Sequence, residues 1–120
     1  MVKDFEVSNL LDFYKNMLTE KQIEATECYY NEDLSLSEIA TNQGITRQGV
    51  RDAIKRAEGQ LFDMENKLGF AQKFREIIKG LEKISSEALR IKIINENLFF
   101  SKEIKDCTKR IEDIVSEISR

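Results

Sequence analysis

The run Leu36-Ser37-Glu38-Ile39-Ala40-Thr41-Asn42-Gln43-Gly44-Ile45-Thr46-Arg47-Gln48-Gly49-Val50-Arg51-Asp52-Ala53-Ile54-Lys55-Arg56 decides the fold. Ser35 and Glu38 form a capping-box pair, so a short helix is expected over residues 36–43. Gly44 stands where the chain must turn at positive φ, and Thr46 caps the next helix. Ala40 is small where the second helix crosses closely. Ile45 is expected to plug the angle, and Val50 with Ala53 or Ile54 to pack against Ile39 and Ala40. The pattern is that of a helix-turn-helix.

Outward from this turn the same signals recur. Phe5, Val7, Leu10, Leu11, Tyr14, Met17 and Leu18 recur at spacings of mostly three and four and predict an amphipathic first helix. Thr19 and Gln22 form a second capping box, which starts a helix expected to bury Ile23, Thr26 and Tyr30. After Thr46 an apolar stripe of Val50, Ala53, Ile54, Ala57, Leu61, Met64 and Leu68 runs to Gly69. Phe70, Phe74, Ile77, Ile78, Leu81 and Ile84 begin another helix, with Ser85 or Ser86 as the cap of the next. Ser101-Lys102-Glu103 marks a fresh start or a kink. Ile104, Cys107, Ile111, Ile114 and Ile118 then form a seam that serves packing on the same chain or a homodimer. The expected fold is all-α: a helix-turn-helix domain over 1–69 and C-terminal helices over 70–120 that pack on it or dimerise.

Composition agrees with this class. The 120 residues contain no proline, which removes the strongest helix breaker. Hydrophobic residues at 41% and charged residues at 34% suit a well-solvated helical protein. The net charge of −3 disfavours non-specific coating of nucleic acid, yet it is segregated. Residues 1–45 carry three basic and nine acidic side chains, a net of −6, whereas residues 46–92 carry eleven and seven, a net of +4. Positive charge therefore gathers from Arg47 onward.

Left outside the packing set are Thr46, Arg47, Gln48, Arg51, Asp52 and Lys55; these without Asp52, together with Arg56, are the candidate nucleic-acid-binding residues. Arginine can reach guanine O6 and N7, and glutamine adenine N6 and N7. Thr46 and Lys55 suit phosphates, which set register without reading sequence. A solvated helix face with internal charge pairs is the plainer alternative. Two distant cysteines and no histidine exclude a Cys/His zinc site, and no cofactor is expected. With no histidine, phosphate loop or carboxylate cluster beside a nucleophile, no enzyme role can be assigned. The N-terminus lacks a signal-peptide core and no apolar run is long enough for a membrane, so a cytoplasmic protein is expected.

At Leu18-Thr19-Glu20-Lys21-Gln22, Tyr29-Tyr30, Leu34 to Ala40 and Gly44 to Val50 the chain resembles region 4 of bacterial sigma factors. Its resemblance to the YlxM family is closer. That likeness adds Leu11-Asp12-Phe13-Tyr14 and Ile54-Lys55-Arg56 and fades beyond Lys67-Leu68. It implies a small all-helical regulator whose gene neighbours those of the signal recognition particle pathway, so DNA and components of that particle are the expected partners. Gly49 departs from the alanine usual in the family, at a cost of up to about 1 kcal/mol. The poorly matching C-terminal third lends no partner role.

Overall fold

The computed structural model describes residues 1–98 and 100–119. Six α-helices follow in order: α1 Glu6–Tyr14, α2 Glu20–Tyr30, α3 Leu36–Gln43, α4 Arg47–Leu68, α5 Phe70–Asn97 and α6 Lys102–Ser119. A 3₁₀ turn, Lys15–Met17, follows α1, and the described residues contain no strand. The chain is all-α. By compactness it divides into Met1–Ala71 and Gln72–Arg120.

In the first unit α4 is the spine, against which α1, α2 and α3 all pack. Val50, Ile54, Ala57 and Leu61 line its core face with no exposed surface, and Val7, Leu10, Leu11 and Ile39 meet them in one cluster. Burying side chains of this size contributes roughly 1.5–3 kcal/mol each. Both capping boxes form. Gln22 N–H donates to Thr19 Oγ1 at 3.2 Å while Thr19 N–H donates to Gln22 Oε1 at 3.0 Å. Ser35 and Glu38 repeat the exchange at 3.1 and 3.2 Å.

The apolar pattern misplaces several residues. α1 ends at Tyr14 because the chain tightens into the 3₁₀ turn, which breaks the helical register. Met17 is 65% exposed in consequence, and Phe5, preceding the helix, is 69% exposed. α2 buries Gln22, Ala25, Thr26, Tyr29 and Tyr30, whereas Ile23 is only partly covered. Ser85 and Ser86 cap nothing: α5 runs unbroken through both. The fresh start at Ser101 is real, with Ser101 Oγ accepting from Ile104 N–H at 3.3 Å as α6 begins.

Gly69 alone separates α4 from α5, at φ 65°. The first amide groups of α5, which its own helix leaves unpaired, are taken up in the first unit. Phe70 N–H donates to Tyr14 Oη at 3.2 Å and Ala71 N–H to Glu65 Oε1 at 3.1 Å. In the second unit Asn95 closes the α5–α6 turn with two bonds to the Ser101 backbone, at 2.9 and 2.8 Å.

Candidate nucleic-acid interface

The turn between α3 and α4 is built from backbone upward. Gly44 lies at φ 69°, and its N–H and that of Ile45 both donate to the Ala40 carbonyl. This closes α3 in three residues. Thr46 is extended, at φ −77° and ψ 155°, and its Oγ1 accepts from Gly49 N–H at 3.0 Å. Ala40, Ile39, Val50 and Ile54 are buried together in the core cluster, so the packing set read from the sequence is present. Ile45 is different. It remains 38% exposed and does not plug the angle between the helices.

With the core stripe of α4 turned inward, two adjacent rows at four-residue spacing face solvent. Arg47, Arg51 and Lys55 make one row; Gln48, Asp52 and Arg56 make the other. All six are exposed, as is Thr46 at their N-terminal end. The structure thus brings Thr46, Arg47, Gln48, Arg51, Lys55 and Arg56 onto one end of one helix. Among the described residues, Arg47, Arg51 and Arg56 have no ion pair, so their guanidinium donors are open.

Three side chains of this face are held. Gln48 Nε2 donates to Asp52 Oδ1 at 2.9 Å. An ionised carboxylate only accepts, so this contact fixes which end of the amide is the donor. Lys55 Nζ lies 3.8 Å from Glu58 Oε2. Glu58 Oε1 in turn accepts from Tyr30 Oη at 2.7 Å, and Tyr30 Oη accepts from Asp4 N–H at 3.3 Å. Burial and the bond to Glu58 push the Tyr30 phenol far above the usual tyrosine range, so it remains a donor. Lys55 is therefore anchored through α2 to the N-terminal segment.

The bonds that Asp52, Glu58 and Tyr30 make at this site come from the structure. The i,i+4 spacing of Gln48 and Asp52 was visible in the sequence; the Tyr30–Glu58 bond, 28 positions apart, left no local signal. Neighbouring contacts explain the Tyr29-Tyr30 pair. Tyr29 Oη donates to the Met1 carbonyl at 3.2 Å and its ring receives Lys3 Nζ at 4.6 Å, while Lys3 also pairs with Asp33 at 3.0 Å. Among the described residues no group of acidic or thiol side chains is arranged to hold a metal, and no helix is long and apolar enough to cross a membrane.

The architecture and the turn define a helix-turn-helix protein. Residues 1–99 match the family described as "UPF0122: Putative helix-turn-helix protein, YlxM / p13 like", and the chain belongs to that family. The UPF0122 protein of Acetivibrio thermocellus is 41% identical over 115 residues, covering 96% of this chain and 98% of that protein. That of Clostridium novyi is 40% identical over 113 residues, covering 94% and 92%. That of Caldanaerobacter subterraneus is 51% identical over 85 residues, covering 70% and 73%. The family match runs past Leu68, where the motif likeness fades, and takes in the whole of α5.

Proposed function

We propose that the chain is a DNA-binding regulatory protein of the cytoplasm that lays the N-terminal half of α4 in the major groove. One observation carries this reading: among the described residues Arg47, Arg51 and Arg56 stand exposed and without an ion pair, on two adjacent rows of a helix whose opposite face is buried. Guanidinium groups in this setting suit guanine edges, and Gln48 beside them suits adenine. Thr46 Oγ1 spends its acceptor capacity on the cap and keeps its hydroxyl proton for a phosphate, and Lys55 supplies a second phosphate contact.

The test is binding to duplexes from the chain's own operon region. The expected result is an affinity that falls linearly with the logarithm of salt concentration. Arg51→Ala should weaken binding to the selected duplex by roughly 1–3 kcal/mol and relax preference at one base position. If no duplex binds at low salt, the reading fails.

A second reading is favoured by the net −6 of residues 1–45, which provides an acidic surface on the same unit. Here the protein is an adaptor in the signal recognition particle pathway, contacting its protein or RNA components and reading no DNA sequence. Crosslinked pull-downs of the full chain that recover no particle component would remove it.

A further inference from the structure

From Phe70, α5 carries a second pattern: Phe74, Ile77, Leu81, Ile84, Ala88, Ile91 and Asn95 step alternately by three and four, reaching Leu98 just past its end. This is the spacing of two neighbouring rows on a helix that packs lengthwise. One row is covered from Leu81 onward, with Leu81, Ala88 and Asn95 buried, while Phe74 at its start is 40% exposed. Its twin is open: Ile77, Ile84, Ile91 and Leu98 are 43, 50, 46 and 70% exposed. α6 repeats the imbalance. It buries Thr108, while Ile104, Ile114 and Ile118 are 41, 54 and 52% exposed. Ile84, Ala88, Ile91 and Ile111 line one shallow groove of this face, and Ile91, Ile94, Leu98 and Ile104 another.

Two helices cannot enclose a core. Leu81 and Ala88 are the buried apolar side chains of Gln72–Arg120 among the described residues. Two such hairpins, however, close into a four-helix bundle.

We propose that this face is the seat of a second copy of the chain, with the two α5 helices antiparallel across a twofold axis at Gly80. Three observations select this occupant. A Cβ on Gly80 would meet nothing within 4 Å, although a helix-interior glycine costs about 1 kcal/mol relative to alanine. It leaves room for close approach at the axis. Lys73 and Glu87 lie seven residues to either side of Gly80, on the same edge of the open row. Antiparallel pairing sets Lys73 against Glu87 of the partner subunit and the reverse; parallel pairing would set like charges together. The surface is thus complementary to itself, as a twofold contact requires. Finally, Ile77 and Ile84, 43 and 50% exposed, flank Gly80 in the open row, so the stretch 70–90 that faces its own copy carries apolar surface on both sides of the axis.

The interface does not depend on the nucleic-acid reading, and sedimentation equilibrium of the full chain tests it without DNA. The expected mass at micromolar concentration is twice the 14.0 kDa of one chain. Ile84→Glu should give single chains. Lys73→Glu and Glu87→Lys should each raise the dimer Kd about tenfold, and the double exchange should return it to within about threefold of the parent. Circular dichroism checks that the charge variants stay helical. A single-chain mass for the parent at micromolar concentration overturns the proposal. So does a double variant as weak as the singles, since Glu87→Lys also removes the 3.5 Å pair with Arg90 and only a contact to Lys73 of the partner subunit can restore affinity.

Discussion

The Tyr14 hydroxyl donates to Glu65 across 2.6 Å, joining residues 51 positions apart in sequence. The same two groups receive the first amides of α5, so the end of α1 fixes where α5 starts. Tyr14→Phe leaves the Phe70 amide without its acceptor and removes one of the donors to Glu65 Oε1. Hydrogen exchange at Phe70 and Ala71 should accelerate by roughly tenfold, while amides of α3 keep their rates. Unchanged exchange at Phe70 would show that the tyrosine packs without clamping.

Alkali should act through the tyrosines. Burial, then the bond to Glu65, raises the Tyr14 phenol above 10.0, and burial, then Glu58, raises Tyr30 further. Folding thus favours the protonated form. Its contribution is complete below pH 10.0 and is lost as pH rises from there through the folded-state values. Denaturant midpoints should stay level towards pH 10 from the neutral side and fall above it. Phenolate absorbance from Tyr14 and Tyr30 should appear in step with unfolding.

Thr26 is wholly buried, and its Oγ1 has no hydrogen-bond partner among the described residues. An unmet hydroxyl in such a place costs about 1–3 kcal/mol. Thr26→Val keeps the shape and removes the unmet group, so urea unfolding should show a gain of about 1 kcal/mol. A loss of stability would mean that the hydroxyl is satisfied in solution.

Three glycines should respond with three different outcomes to alanine. Gly44 sits at φ 69°, and alanine there should cost about 1–2 kcal/mol. Gly59 lies mid-helix with open space around its missing Cβ, so alanine should add up to about 1 kcal/mol. At Gly49 a Cβ would stand 3.1 Å from Thr46 Oγ1, the atom that caps α4. The propensity gain is then partly offset, and thermal melts should place Gly49→Ala between the other two.

Much of the fold was legible because its signals are local. Thr19, Ser35 and Thr46 start helices through bonds to residues three positions on, and Gly44 and Gly69 end them by their own φ. Thr46, Arg47, Gln48, Arg51 and Lys55 of the candidate interface followed by subtraction of the core stripe of α4, which also left Asp52, the partner of Gln48. Periodicity failed where it could not tell a covered row from an open one. Ile77, Ile84 and Ile91 carry the spacing of buried residues and are about half exposed. Ser85 and Ser86 look like caps, yet a hydroxyl is tolerated within a helix that neighbouring residues hold. The Tyr14–Glu65 and Tyr30–Glu58 bonds join distant positions, and nothing in the spacing of one announces the other.

In α4 the residues that hold the protein together and those left exposed occupy different sides of one uninterrupted helix. Val50, Ile54, Ala57 and Leu61 can stay fixed while Arg47, Gln48, Arg51 and Arg56 are exchanged at little structural cost, since surface changes usually move stability by less than about 0.5 kcal/mol. If α4 reads DNA as proposed, such a helix can change what it recognises over evolutionary time without passing through an unfolded intermediate sequence, and its outward half is a natural place to graft new specificities.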